Sequence, residues 1–186
     1  MQNQKRTNPR NIEREARTIA NIIGLAGGEL VGRTRLQKIV YLLTATDLLR
    51  GFEFEYRHYG PYSDDLSIAM SIGRLEGIIE EEERQASWGG TYSVYRVSGK
   101  DVPKLEKQNK AFKQLLDLMA SANPIALELA ATAAYLAQEG SRNAWRETLS
   151  RKPEKSSQIE AAKALYRKLA EVPTPKRLPR LIATES

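Results

Sequence analysis

Apolar residues recur at helical spacing at the start of the chain, where Ile12, Ala16, Ile19, Ile23 and Ala26 follow Asn8-Pro9 and run to Gly27-Gly28. An asparagine cap with proline at the first helical position, closed by glycine, predicts a first helix. A second runs from about Thr34 through Leu36, Ile39, Val40, Leu42, Leu43, Leu48 and Leu49 to Gly51. It is apolar over more than half its circumference, so it should lie centrally in a core and be touched from two sides. The period then changes from three-to-four to two. Phe52, Phe54, Tyr56 and His58 share one face of an extended segment, and Glu53, Glu55 and Arg57 share the other, which predicts a strand. Gly60-Pro61 predicts a turn. Ser63 is placed to cap a third helix headed by Asp64 and Asp65, with Leu66, Ile68, Ala69, Met70, Ile72 and Leu75 along it as far as Gly77. Two strands, over 78–85 and 92–97, are joined by Ser87-Trp88-Gly89-Gly90 as a hairpin turn.

The remainder reads as helical. Leu105, Phe112, Leu115 and Met119 mark one helix; Asn123-Pro124 opens another bearing Ile125, Leu129, Ala133 and Leu136. A short helix around Trp145 and Leu149 precedes a last one carrying Ile159, Ala162, Leu165 and Leu169, for which Ser157 and Glu160 have capping-box spacing. The pattern predicts a predominantly helical α+β fold with a winged-helix-like order (three helices, a short strand, a β-hairpin), followed by a C-terminal helical bundle. One domain is expected over 10–170, with helices and a small sheet over 10–98 and a helical part over 102–170. It is flanked by a flexible N-terminus at 1–9 and a basic, proline-containing tail at 171–186, expected to be extended or disordered.

Composition narrows the function classes. The 186 residues are 41% hydrophobic and 28% charged and include no cysteine, which excludes disulfide scaffolds, thiolate metal sites and cysteine nucleophiles. With no apolar run of membrane-spanning length and no signal-peptide pattern, a cytoplasmic protein is expected. The net charge of +6 is uneven, at +5 over residues 1–50, −4 over 51–100 and +5 over 101–186. A winged helix would read DNA with its third helix, but here that helix starts with Asp64 and Asp65 and offers only Arg74 as a cation. Such a surface opposes phosphate. Nucleic acid, if bound, would meet the basic ends: Lys5, Arg6, Arg10, Arg14 and Arg17, or Arg142, Arg146, Arg151, Lys152 and Lys155. A solvated helix face explains the same residues.

Catalytic chemistry finds little support. His58 is the sole imidazole, and the nominal set it makes with Ser63 and Asp64 fits none of the usual nucleophile–base spacings. A structural role is expected instead, with the histidine bonding the turn while its ring lies beside Tyr56. Glu80, Glu81, Glu82 and Glu83 alternate faces on a strand and cannot converge on a metal ion. Gly24-Leu25-Ala26-Gly27-Gly28 follows a helix, where a phosphate-binding loop must follow a strand. No catalytic residue, metal or cofactor is therefore expected. Tyr59, Tyr62, Trp88, Tyr92 and Tyr95 lie in a turn or hairpin, and tyrosine and tryptophan anchor many interfaces; these five are the expected partner-binding residues.

Three stretches carry a family resemblance. The helix from Arg33 to Leu43 resembles the "LQK(L/I)xYL" motif, and Phe54 to Ser63 resembles the "HYGPYS" signature, of the YwgA-like proteins, relatives of the SocA/Panacea antitoxin-type domain. The run from Leu127 to Leu136, with Arg151-Lys152-Pro153-Glu154-Lys155, is similar to that family's C-terminal helices. The motif positions here are Leu36, Gln37, Lys38, Tyr41, His58, Tyr59, Gly60, Pro61, Tyr62 and Ser63. The resemblance implies a mainly helical α+β domain with a small sheet, in a family that includes antitoxins acting by contact with a toxin protein, and it carries no catalytic residue across. Fold maintenance asks for the same positions: Leu36 and Tyr41 in the core, Gly60 and Pro61 in the turn, and Gln37 and Lys38 satisfying that turn's backbone. The expected function is a non-enzymatic, antitoxin-like protein-binding module that sequesters or presents a partner. A nucleic-acid-binding regulator using the basic ends is the alternative.

Overall fold

A computed structural model of the chain describes residues 9–87, 89–97 and 109–181. Among them the fold is predominantly helical α+β, as expected. It divides into two compact units: residues 1–32 with 64–106, and residues 33–63 with 107–186.

The first unit holds helix α1 (Pro9–Leu25), strand β1 (Glu29–Val31), helix α3 (Asp64–Leu75) and strands β4 (Ile79–Gln85) and β5 (Thr91–Val97). Helices α1 and α3 pack together, α1 also meets β5, and α3 meets β4. Ala16, Ile19, Ile22 and Ile23 from α1, Leu66 and Ala69 from α3, and Leu30, Ile79, Val94 and Tyr95 from the strands are buried. The antiparallel sheet runs β1-β5-β4, with Leu30 opposite Tyr95 and Glu82 opposite Val94. The sequence pattern did not announce β1, because three residues are too few to show a period. The glutamate run splits by face, as the strand period requires. Glu81 turns inward to accept from the Tyr95 hydroxyl at 3.0 Å and to pair with Arg74, whereas Glu82 accepts from Arg84 at 2.9 Å and Arg96 at 2.7 Å. The hydrogen bonds from Arg84 and Arg96 hold the Glu82 carboxyl down to about 2. Among the described residues no group of three or more acidic or histidine side chains gathers as a metal would need.

The second unit holds α2 (Arg33–Ala45), the two-stranded sheet of β2 (Glu55–Arg57) and β3 (Gly60–Tyr62), and helices α4 (Lys110–Ala120), α5 (Pro124–Gln138), α6 (Ala144–Arg151) and α7 (Ile159–Glu171), with a 3₁₀ turn at Pro153–Gln158. Helix α5 is its centre, packing on α2, β3, α6 and α7. Its run of alanines from Ala126 to Ala134 is buried on nearly all sides, and short side chains let neighbouring helices approach closely. The Asn123 side chain caps it, accepting from the Ile125 and Ala126 amides at 2.9 and 3.1 Å, with Pro124 in the first turn. Among the described residues no helix is long and apolar enough to cross a membrane.

Several expectations are corrected here. Helix α2 stops at Ala45 rather than near Gly51, because Asp47 adopts a left-handed φ of 58° and the Leu48 amide then donates back to the Leu43 carbonyl at 3.0 Å. The turn lies at His58-Tyr59, one step before Gly60-Pro61, and Gly60–Tyr62 pairs back on β2, with Tyr56 opposite Pro61. A two-stranded sheet tolerates a proline that lacks the N–H. The Ser157–Glu160 capping box is not used: the 3₁₀ turn intervenes and α7 starts without a side-chain cap. The described part of the proline-containing tail, 172–181, has no helix or strand, as an extended segment should, but it is packed down rather than free. Val172 and Leu178 are buried, the Tyr166 hydroxyl donates to the Pro179 carbonyl at 2.7 Å, and the Lys176 amide donates to the Thr46 carbonyl at 3.1 Å. Two apolar residues and two backbone anchors suffice where no periodicity exists. Residues 1–8, the start of the helix expected at Leu105, and 182–186 lie outside the described residues.

Candidate binding site at the clamped hairpin turn

The motif positions converge within the second unit. Gln37 sits one turn into α2, and its amide behaves like a strand neighbour: Nε2 donates to the Ser63 carbonyl at 3.0 Å while Oε1 accepts from the Ser63 N–H at 2.9 Å. Lys38 follows it, and its Nζ donates to the Pro61 carbonyl at 2.7 Å. All four residues are buried, so the two polar side chains within an otherwise apolar helix complete the hydrogen bonding of the returning strand, as expected of them. Gly60 has φ +84°, and a Cβ built on it would stand 2.3 Å from the Thr132 hydroxyl oxygen of α5. Both the backbone conformation and the close approach demand glycine.

An aromatic row supports the hairpin from beneath. The Tyr41 ring meets Phe54 edge-on at 5.3 Å and Tyr135 at 5.9 Å, and Tyr135 meets Tyr56 at 6.1 Å. The Tyr41 hydroxyl donates to Gln138 Oε1 at 3.0 Å, and burial pushes its pKa well above the usual tyrosine range. At the base of α2, one guanidinium nitrogen of Arg35 reaches the carbonyls of Met119, Ala120 and Ala122 at 3.2, 2.9 and 2.7 Å, satisfying the C-terminal end of α4.

The turn itself is held by charge. Lys152 Nζ donates to the His58 carbonyl at 2.7 Å and lies 2.8 Å from Glu128 Oε1; Lys155 Nζ is 2.6 Å from the same oxygen. Three lysines, Lys38, Lys152 and Lys155, thus surround one carboxylate. Burial lowers the Lys38 pKa to about 7; Glu128 opposes that shift, and the like charges of Lys152 and Lys155 add to it. Over this cluster lies the Tyr59 ring, 53% exposed, with Lys155 Nζ 5.2 Å and Lys152 Nζ 5.9 Å from its centroid and the His58 ring edge-on at 4.7 Å. The flanking arginines are stacked and paired. Arg57 covers Tyr62 at 4.5 Å and bonds Glu55, while Arg151 covers Tyr56 at 4.4 Å and bonds Glu147.

Of the five aromatics expected to bind a partner, Tyr59 is exposed, Tyr62 and Tyr92 are half-buried, Tyr95 is a core residue bonded to Glu81, and Trp88 lies outside the described residues. Tyr95 therefore offers no surface. His58 differs from expectation too: it is exposed, its ring contacts Tyr59 rather than Tyr56, and its backbone carbonyl is what the fold uses. Of the basic residues, Arg14, Arg17, Arg142 and Arg146 are exposed and Arg10 lies in the first turn of α1, but Lys152 is buried at the Glu128 pair and cannot meet a phosphate. Sequence reasoning missed Glu128 and Thr132, and placed Lys155 in a basic face for nucleic acid rather than beside a carboxylate. The signal for the first was there, a lone carboxylate in the run Leu127 to Leu136, since an acid is buried only when it is paired.

Among curated proteins, the chain is similar to the uncharacterized protein YwgA of Bacillus subtilis (strain 168), with 30% identity over 71 residues. That stretch is 38% of this chain and 41% of YwgA, so the likeness spans under half of either. No family model and no solved structure matches.

Proposed function

We propose that this chain is a non-enzymatic protein-binding module of the cytoplasm, antitoxin-like in acting by contact, and that the turn at His58-Tyr59 is the element it presents. One observation carries the reading. Tyr59 is a large ring left 53% exposed on a turn whose flanking His58 and Pro61 carbonyls are held from within by Lys152 and Lys38. A rigid, exposed tyrosine loses little entropy on binding and suits an interface anchor. The likeness to YwgA over part of the chain is compatible with a wider Panacea-type kinship but adds no activity.

The test is affinity capture from the native host with the wild-type chain and a Tyr59→Ala bait of equal stability. A protein retained by the first and lost with the second is expected. Recovery of the same proteins by both baits refutes the reading. The alternative, nucleic-acid binding, draws on the charge of the second unit, whose nineteen basic and eleven acidic side chains give +8, against ten and twelve (−2) in the first. Retention that falls steeply with salt and vanishes on nuclease treatment would favour it, because counterion release dominates such affinity.

A further inference from the structure

The positive excess around the turn is not spread over the surface. The outward arginines, Arg57 and Arg151, are each paired with a carboxylate, Glu55 and Glu147, and stacked on a tyrosine. What is unbalanced is the sunken cluster, where Glu128 alone answers Lys152 and Lys155, with Lys38 beside them. Its outlet is Lys155. The Lys155 side chain is 18% exposed against 3% for Lys152, and of its three N–H donors one is directed at Glu128. The exposed Tyr59 ring lies beside that outlet.

We propose that Tyr59 and Lys155 form a docking seat for an acidic protein segment, one carboxylate of which pairs with the Lys155 ammonium while the neighbouring apolar part lies on the Tyr59 ring. This rests on the protein-binding reading above and names the chemistry of the partner. Charge complementarity favours a carboxylate of a protein over a phosphate backbone. A strand of nucleic acid needs cations strung along its path, and here those beside the turn are neutralised by Glu55 and Glu147, which would themselves face phosphates. A protein segment can set one carboxylate on the recessed ammonium while its others, unlike evenly spaced phosphates, stay clear of Glu55 and Glu147. The seat also has a protonic signature. The charged groups facing Lys38 are Glu128 from α5, Lys152 at the end of α6 and Lys155 from the 3₁₀ turn; a further carboxylate beside them favours the protonated amine, so docking takes up protons near neutral pH.

The experiment uses the full chain and three fluorescein-labelled probes, read by anisotropy at ~0.15 M salt, where long-range charge effects are screened. They are a short peptide alternating glutamate and leucine, the same peptide with glutamine for glutamate, and an oligothymidylate of matching length. The glutamate peptide is expected to bind at least ~10-fold tighter than the glutamine one. Lys155→Met and Tyr59→Ala should each cut its affinity ~10-fold, with Lys155→Arg retaining most of it. Calorimetry in buffers of different ionisation enthalpy should show proton uptake at pH 7–8. Equal binding of the two peptides, no binding of the glutamate peptide, or an oligothymidylate that binds tighter and is lost in Lys155→Met each overturns the acidic seat. The capture test with Tyr59→Ala decides the protein-binding reading separately, so the acidic seat can fail while that reading stands, and failure of the capture test is recognised as failure of the reading itself.

Discussion

Replacing Lys38 by methionine removes the most costly charge in the second unit while keeping an unbranched chain of similar length. Lys38 is 1% exposed, and its amine is lowered from 10.5 to about 7 chiefly by burial. In the unfolded chain the amine keeps its proton up to the ordinary lysine range. Between the two values the unfolded state therefore binds one proton more than the folded state, and stability rises with pH at ~1.4 kcal/mol per unit. Below pH 7 the full penalty is present; integrated over the shift it is on the order of 5 kcal/mol as an upper bound. Its neutral form still donates to the Pro61 carbonyl, a bond that methionine forfeits at a cost of ~1–3 kcal/mol at every pH. The two effects separate by their pH dependence. Urea denaturation of both proteins at about pH 5 to 9.5, followed by circular dichroism and tryptophan fluorescence so that a two-state transition is verified, gives the difference directly. Wild type minus Lys38→Met should be flat below pH ~6 and then climb by ~3 kcal/mol between pH 7.5 and 9.5. Titrations common to both proteins cancel. A difference that stays flat over those two units would refute the argument, since it would mean that the folded protein keeps the Lys38 proton.

Gly60→Ala should destabilise by ~3 kcal/mol in the same assay, from a positive φ plus the collision with Thr132; adding Thr132→Ala should recover the steric part and leave the backbone part. Glu128→Gln strips the lysine cluster of its carboxylate and should cost ~3–5 kcal/mol at pH 7, detected as a lowered urea midpoint. Arg35→Ala leaves the carbonyls at the end of α4 without their guanidinium, so hydrogen exchange of the α4 amides should quicken and stability should fall by ~1–2 kcal/mol. Tyr166→Phe removes the bond to the Pro179 carbonyl; limited proteolysis near 176–180 should accelerate at a cost of ~1 kcal/mol.

Legibility in the sequence followed the range of the forces involved. Helices α1, α3 and α5 show in the pattern because their caps and apolar stripes are local, as with Asn123 and Pro124 at the head of α5. The long β4–β5 hairpin shows for the same reason. Strand β1 and the β2–β3 pairing depend on partners far along the chain, and three-residue strands carry too little period to be seen. The shift of the turn from Gly60-Pro61 to His58-Tyr59 is of this kind: local turn chemistry pointed to the glycine and proline, whereas clamping by Gln37 and Lys38 decides it. Within the site, Gln37 and Lys38 were legible as polar residues out of place in an apolar helix. Their counterparts Glu128 and Lys155 lie 90 and 117 residues beyond Lys38, where only the fold could join them to the turn.

The clamped turn separates two roles that the motif blends. Leu36, Gln37, Lys38, Tyr41, Gly60, Pro61 and Ser63 all face inward and have an internal duty, whether packing, a backbone bond or a close approach. None of those duties needs an aromatic ring at 59. The fold uses the His58 carbonyl, not the side chains of His58 or Tyr59, to anchor the turn. Removing the Tyr59 ring should therefore cost no more than ~1 kcal/mol, the worth of its contacts with Lys155 and Lys152, whereas changing any of the inward residues should not be so mild. If Tyr59→Ala proved as destabilising as Gly60→Ala, the ring would belong to the clamp, and its exposure would be no argument for a partner. A near-neutral Tyr59→Ala that also lost its binding partner would assign the scaffold to the inward seven residues and recognition to the turn's outward ring.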